Sequence, residues 1–251
     1  PEGEDAMRAD KYLVEHGYFD TRARAQAAIA AGKVSVNDVI LVKPSQTIPE
    51  GAEIVAEAAH PYVSRAALKL VKGLDAFDVD PAGKRCLDIG SSTGGFTEVL
   101  LERGAARVVA VDVGRDQLAP ALRAHPQVLS LEGTDARNLT RELIEDAAPE
   151  LLVCDASFIS LEKVLARPLE LLGEGGEMIV LFKPQFEVGP KFVGKGGLVK
   201  DEAAVELAKE NARAFFARAS VPVLGETGSP IRGGDGNREY LFYGRKASAD
   251  Q

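Results

Sequence analysis

The segment RCLDIGSSTGGFTEVLLERG, residues 85–104, constrains the fold more than any other stretch of the chain. Arg85 to Ile89 reads as a short buried strand, a turn carrying Gly90, Gly94 and Gly95 follows, and the residues from Phe96 onward keep helical spacing. Strand, glycine turn and helix in succession form the opening unit of a doubly wound α/β sheet. Such a turn lets a ligand approach the backbone closely and aims a helix N-terminus at it. The glycine spacing departs from the G-x-G-x-x-G dinucleotide fingerprint, so the turn points to a nucleotide-like ligand without specifying a dinucleotide.

The rest of the chain after about residue 61 keeps the same rhythm. Strands are expected at about Arg85–Ile89, Arg107–Val111, Val128–Leu131, Leu151–Cys154 and Glu177–Phe182, with helices between them. A helix from Ser64 to about Phe77 precedes them, and another runs from Asp201 to Arg218. The runs VPVLGETGS and REYLFYGR flank GGDGN and predict a hairpin, which sets one strand antiparallel in an otherwise parallel sheet. The start of that last strand then lies at the edge where the parallel strands end, so Glu239 is expected to face the ligand crevice.

Three successive strands end on an acid: Asp88 before the glycines, Asp112 after RVVAV, and Asp135 in GTDARNL. Asp88 is poorly placed for a pyrophosphate and well placed for a cationic amine; Asp112 can take both hydroxyls of a ribose, and Asp135 an adenine amine. Any one of them could simply cap the next helix. Recurrence at three neighbouring strand ends fits a cationic, adenosine-bearing ligand without phosphates, and S-adenosylmethionine is that ligand. No metal is expected.

Four more residues each sit beside a strong local signal: Lys69 in SRAALKL, Asp155 in LLVCDASF, Lys183 in MIVLFKPQF and Glu239 in GNREYLF. Two ammonium groups and two carboxylates around such a ligand suit removal of a proton from a weakly acidic hydroxyl. Lys183 is the expected base or proton-orienting group. A base role needs its pKa to fall from about 10.4 toward neutrality; burial and Lys69 act that way, whereas Asp155 and Glu239 act against it. The sequence leaves both roles open. Plainer readings exist for three of the four: Lys69 as a solvated helix position, Asp155 as the cap of a helix near Ser157, Glu239 as a cross-strand ion-pair partner.

The first 56 residues are organised differently. RADKYLVEHG reads as a helix stopped near Gly17, and TRARAQAAIAAG as a second with Asp20 or Thr21 as N-cap and Gly32 as stop. Short strands follow, with a turn at Asn37-Asp38 and a closing AEIVAEA. A net charge of −8 opposes nucleic-acid binding by bulk electrostatics. Between Thr21 and Lys43, however, Arg22, Arg24, Lys33 and Lys43 face the single acid Asp38. This segment resembles the alpha-L RNA-binding module of a small-subunit ribosomal protein, pseudouridine synthases and tyrosyl-tRNA synthetases. The resemblance implies RNA contacts for Arg22, Arg24, Lys33, Asn37 and Lys43; Arg65, just beyond the module, is added to that set.

At 251 residues, 45% apolar and 27% charged, the chain has the composition of an ordinary globular protein with one large core and a small appendage. Apolar runs such as MIVLF are far shorter than a bilayer needs, and PEGEDAM lacks the features of a secretory signal. Cys86 and Cys154 lie in apolar strands, where core packing accounts for them, so a cytoplasmic setting is expected. The irregular stretch 184–200, with Lys191, Lys195 and Lys200, is expected to close over RNA.

In order, YVSRAALKL, LDIGSSTGGFTEVLL, VDVGRDQL, CDASFISL, LFKPQFE and NREYLF make the larger part resemble the FtsJ/RrmJ-like 2'-O-ribose methyltransferases. From Met7 to Tyr243 the chain resembles the hemolysin-A-type (TlyA-like) ribosomal RNA methyltransferases. That resemblance implies a Rossmann-like methyltransferase domain over 61–246, with a mostly parallel seven-stranded sheet and one antiparallel strand, preceded by a small α+β RNA-binding domain over 7–60. It further implies Lys69, Asp155, Lys183 and Glu239 as a catalytic tetrad acting on cytidine 2'-hydroxyls of ribosomal RNA. S-adenosylmethionine would lie on Asp88, Gly90, Ser91, Ser92, Gly94, Gly95, Phe96, Asp112, Val113, Asp135, Ala136 and Asp155. Two other classes compete: a non-catalytic RNA-binding or ribosome-assembly factor, and a membrane-acting hemolysin, for which no residue pattern speaks.

Overall fold

A computed structural model describes residues 6–30, 32–56 and 62–250, so the domain boundary expected between residues 60 and 61 falls outside the described residues. The N-terminal unit comprises β1 (Met7–Arg8), α1 (Ala9–Glu15), α2 (Arg22–Ala30), β2 (Val34–Val36), β3 (Val39–Ile40), β4 (Thr47–Ile48) and β5 (Ile54–Ala56). Strand β1 pairs with β4, while β3, β2 and β5 form a second antiparallel sheet. Asn37 and Asp38 both take positive φ, 49° and 66°, as the two-residue turn between β2 and β3 requires. Thr21 caps α2, its Oγ1 accepting from the Arg24 N–H at 3.2 Å. Leu13, Phe19, Ile29, Val34 and Ile48 fill a small core of their own.

The larger unit comprises α3 (Ala66–Ala76), β6 (Arg85–Ile89), α4 (Gly95–Glu102), β7 (Arg107–Val111), α5 (Pro120–Arg123), β8 (Val128–Leu131), β9 (Leu151–Cys154), α6 (Leu161–Leu171), β10 (Glu177–Phe182), α7 (Glu202–Arg218), β11 (Val223–Gly228) and β12 (Tyr240–Arg245). Its sheet runs β11-β12-β10-β9-β6-β7-β8. Strand β12 alone is antiparallel to its neighbours. The central strands β9 and β10 are apolar and almost wholly buried, whereas the edge strand β8 is only partly so; the limits of β6 to β10 match the sequence expectation.

Alternate residues along each strand feed two apolar layers. Leu70 and Leu74 of α3 and Val99 and Leu100 of α4 pack on Val108, Val153 and Ile179. On the opposite face, Leu165 and Leu169 of α6 and Phe215 and Phe216 of α7 pack on Leu87, Leu152, Val180 and Phe242. Each fully buried Leu or Phe of this kind stabilises the fold by about 1.5–3 kcal/mol. The helix expected between β8 and β9 is absent. That connection holds only the 3-10 turn Ala136–Asn138, and Glu145 and Asp146 with φ of 67° and 56° break helical progress while Ala136, Leu139 and Ile144 still reach the core. Among the described residues no helix is long and apolar enough to cross a membrane.

Candidate active site

Strand order reverses between β6 and β9, and the crevice at their carboxyl ends is where an open α/β sheet binds its ligand. After β6 the chain turns through Gly90 at φ 80°, and a Cβ there would lie 2.5 Å from the backbone oxygen of Asp155. Only glycine lets the turn sit this close to the end of β9. The N–H groups of Gly90 and Ser91 both donate to the Val111 carbonyl, at 2.9 and 3.0 Å, so the turn is stitched to the end of β7.

Asp88, fully buried at 0% exposure, accepts from Thr97 Oγ1 at 2.7 Å through Oδ2, while its Oδ1 and the nearby Ser91 Oγ have no hydrogen-bond partner. Burial, reinforced by the negative charges of Asp155 and Asp112, pushes the Asp88 carboxyl up to about 7. Asp112 accepts from the Ser92 N–H at 2.7 Å and the Gly114 N–H at 2.8 Å, which holds its carboxylate at the lip of the turn beside the exposed Val113. Asp135 caps the 3-10 turn that starts at the buried Ala136 and pairs with Arg137 at 2.7 Å. Gly94 at φ 106° starts α4, whose first turn holds Gly95 and Phe96.

Lys69, Asp155, Lys183 and Glu239 converge on one pocket of about 350 Å3, which Gly90, Ser91, Ser92, Gly95 and Phe96 also line. Register explains the convergence. Phe182 of β10 stands opposite Tyr240 of β12, so the next residue, Lys183, meets Glu239 coming the other way. Cys154 stands beside both Ile89 and Val180, which sets Asp155 between the glycine turn and Lys183. Lys69 reaches in from α3, one turn before Gly73, whose missing side chain lets the helix lie on the sheet; a Cβ there would sit 2.9 Å from Ile179.

Two ion pairs result: Lys69 Nζ to Glu239 Oε1 at 2.6 Å, and Lys183 Nζ to Asp155 Oδ1 at 2.5 Å. Burial pulls the Lys183 pKa down, but the carboxylates of Asp155 and Glu239 outweigh it and leave the pKa raised. Burial likewise raises Asp155, and Lys183 and Lys69 reverse this to leave it lowered. Both members of the pair are therefore charged in the free protein, opposite to the depressed lysine that a simple base requires. The plainer readings are removed: Lys69 is buried, α6 begins at Leu161 capped by Ser160 instead of Asp155, and Glu239 pairs with a helix residue.

Several residues that sequence reasoning passed over complete the pocket. Ser157 Oγ accepts from Lys183 Nζ at 3.1 Å. Phe158, 91% exposed at the rim, holds a φ of 62° that a bulky residue rarely takes, and its ring lies 5.2 Å from that of Phe186. Gln185 donates to Asp235 at 2.8 Å on the far wall. The positive φ and full exposure of an aromatic are conformational facts that no sequence pattern announces.

Arg65 lines the same pocket, yet its guanidinium donates to the carbonyl of His16 and lies 5.3 Å over the ring of Tyr18, both in the N-terminal unit. The other cations assigned to RNA lie on that unit. Arg22 joins Arg8 and Gln26 around Asp10, a carboxylate at 0% exposure. Burial raises the Asp10 pKa, but its bonds to Arg8, Gln26 and Arg22 lower it well below the usual range. Arg24 pairs with Asp20 at 2.7 Å, Lys33 and Lys43 are exposed, and Asn37 ties its turn to the start of β5, its Oδ1 accepting from the Glu53 N–H at 2.9 Å. Arg8, whose Nε donates to Asp10 at 2.7 Å, is a further cation of this cluster. Lys191, Lys195 and Lys200 line a second cavity of about 550 Å3, shared with Glu50 and Gly51 of the N-terminal unit.

Comparison with known proteins places this architecture. The profile of the FtsJ-like methyltransferases matches residues 62–246, and that of the S4 domain matches residues 7–54. The chain belongs to the FtsJ-like methyltransferase family. Among its relatives is the 16S/23S rRNA (cytidine-2'-O)-methyltransferase TlyA of Mycobacterium tuberculosis, 44% identical over 241 residues, which span 94% of this chain and 88% of the relative. Hemolysin A of Brachyspira hyodysenteriae is 39% identical over 94% of this chain and 99% of its own. A solved structure from Streptococcus thermophilus that carries a hemolysin name superposes with a TM-score of 0.76 at 36% identity, covering 98% of this chain and 90% of that one. This FtsJ-like chain thus shares both of its units with relatives named for RNA methylation and for hemolysis alike.

Proposed function

We propose that this protein is an S-adenosylmethionine-dependent methyltransferase that modifies the 2'-hydroxyl of cytidine in ribosomal RNA, and that Lys69, Asp155, Lys183 and Glu239 carry the reaction. The observation that carries the reading is the meeting of these four residues in one pocket against the Gly90–Phe96 turn. The cytidine and ribosomal assignments come from relatives at 44% identity whose names state them. A cytoplasmic setting fits a ribosomal RNA substrate and the two buried free thiols, Cys86 and Cys154.

The donor set fits the cofactor. The unpartnered Asp88 Oδ1 and Ser91 Oγ are buried acceptors waiting for a cationic donor, and Asp112 keeps lone pairs for ribose hydroxyls beyond its two backbone bonds. When bound, S-adenosylmethionine supplies an electrophilic methyl group; the chain's own residues do the rest. With Asp155 and Ser157 each taking one bond from the Lys183 ammonium, a third N–H is left for the ribose oxygen. Lys183 thereby fixes the hydroxyl in line, and alignment of this kind contributes up to roughly 10 kcal/mol to lowering a barrier. As the oxygen is alkylated its proton becomes strongly acidic, so the ionised Asp155 suffices to receive it. Lys69 holds Glu239, and Glu239 holds the charge of Lys183 in place.

The test is transfer of labelled methyl to ribosomal RNA, with mass-spectrometric mapping of the modified ribose. Lys183→Ala is expected to abolish transfer while the protein still folds and binds cofactor, at a cost in stability because Asp155 loses its partner. RNA that is bound but never methylated by the wild-type protein would favour the assembly-factor reading.

A further inference from the structure

The loop from Ser229 to Glu239 is held from three sides. On the N-terminal side, the Arg232 N–H donates to the carbonyl of Glu15 at 2.7 Å, and Arg232 Nε lies 3.7 Å from Glu15 Oε2. Gly17, at the end of α1, packs so tightly on Ile231 that a Cβ would fall 2.6 Å from its Cδ1. On the side of the 184–200 segment, Asn237 uses both ends of its amide. Its Nδ2 donates to the Gly197 carbonyl at 2.8 Å and its Oδ1 accepts from the Val199 N–H at 3.0 Å. On the pocket side, Gly233 abuts the carboxylate of Glu239, which pairs with Lys69.

Internal bonds stiffen the loop between these anchors. The Gly233 N–H donates to the Asn237 carbonyl at 3.0 Å, the Asn237 N–H to Asp235 Oδ1 at 3.0 Å, and the Ser229 N–H to the Glu239 carbonyl at 2.9 Å. Asn237 is only 3% exposed, and burying an amide is unfavourable unless its bonds are made. Those bonds go entirely to the backbone of the 197–199 stretch. An amide two residues before Glu239 therefore fixes that stretch to the tetrad, while Arg232 fixes the N-terminal unit to the same loop.

We propose that Asn237 and Arg232 are positioning residues, through which the N-terminal unit and the 184–200 segment set the position of Glu239, so that RNA held by both completes the catalytic geometry. The proposal rests on the methyltransferase reading. Neither side chain needs to touch the reacting atoms. A displacement of Glu239 shifts Lys69 and relaxes the hold on Lys183, and an error of about 1 Å in reacting geometry can cost around 100-fold in rate.

The experiment uses the full chain and measures single-turnover transfer at saturating RNA and cofactor, with both dissociation constants. Asn237→Ala is expected to slow transfer by about tenfold or more with both affinities within about twofold of wild type, a loss of rate without loss of binding. Arg232→Ala should slow it by about threefold or more, and Arg232→Lys, which keeps the charge facing Glu15, should recover most of that. In a Glu239→Gln background Asn237→Ala should add little, because both act through one group. Hydrogen exchange supplies a readout independent of activity: the amides of Val199 and Gly233 should exchange faster in Asn237→Ala. Wild-type rates in Asn237→Ala, full multiplication of the two losses, or RNA affinity falling in step with rate would each overturn the proposal. A wild-type protein that transfers no methyl group sinks the methyltransferase reading instead, and the exchange rates then decide alone whether Asn237 holds the loop.

Discussion

Asp88 is the residue whose surroundings make the sharpest demand. Its carboxyl titrates near 7 because it is buried among other acids, so at neutral pH it is poised between forms. A cationic amine binds the ionised form; cofactor affinity is therefore expected to weaken by about tenfold for each pH unit below 7, measurable by calorimetry between pH 5.5 and 8. The sign for stability is the reverse. The folded pKa lies above the unfolded one, so ionisation burdens the fold as pH rises from the ordinary carboxylate range toward 7. Asp88→Asn should accordingly melt no lower than wild type at pH 8 while losing most cofactor affinity; a marked drop in melting temperature would contradict this. The Lys69–Glu239 pair behaves differently, since both side chains are buried, at 7% and 3% exposure. Removing one partner strands the other charge at a cost of about 3–5 kcal/mol. Glu239→Ala should thus lose both fold stability and transfer, whereas the double variant Lys69→Met/Glu239→Leu should recover stability and stay inactive, as denaturant titration beside the methyl assay would report.

At the scale of elements, the turn between Cys154 and Ser160 carries strain with no structural need for it. Phe158 sits at φ 62° with 91% of its surface exposed, so its contact with Phe186 covers little of the ring and backbone preference does not explain the residue. Phe158→Gly should leave stability unchanged or raise it by about 1 kcal/mol, because glycine takes this conformation freely. Transfer to RNA should nevertheless fall, with cofactor affinity unaltered, if the ring stacks on a base of the substrate. Unchanged transfer would make the ring a bystander. The strands β6 to β10 are legible in the sequence because short apolar-rich runs recur between turn signals, most plainly the fully buried LLVC of β9, and the place of Glu239 is legible because an antiparallel last strand must start at the ligand edge. The missing helix between β8 and β9 is not, since the apolar positions Ala136, Leu139 and Ile144 serve a packed loop as well as they would a helix. Nor are Asn237 and the Gln185–Asp235 wall, whose partners are fixed by loop paths 38 to 50 residues apart in sequence.

For the whole molecule, the problem is how a chain of net charge −8 holds a polyanion. Bulk repulsion acts over a Debye length of about 8 Å at physiological salt, so cations concentrated on one face can prevail locally while acids elsewhere are screened. Two groups of cations stand out: Arg8 and Arg22 around the buried Asp10, and Lys191, Lys195 and Lys200 in the cavity that they line together with Glu50, Asp201 and Asp235. The lysine cavity and the catalytic pocket share Asp235 of the loop that reaches Glu239, so RNA held by these lysines would lie next to the catalytic pocket. Binding should then depend on salt through the contacts of both units together. Arg22→Ala is expected to reduce the slope of log affinity against log salt by about 1, and the triple Lys191, Lys195 and Lys200 to Ala variant by about 2 to 3. Cofactor affinity should be unaffected in both, since neither set touches the Gly90 turn. Filter binding between roughly 50 and 200 mM salt reads the slopes, and calorimetry reads the cofactor. Parallel loss of cofactor binding in the lysine variant would mean that the 184–200 segment shapes the methyl-donor pocket instead of the RNA path.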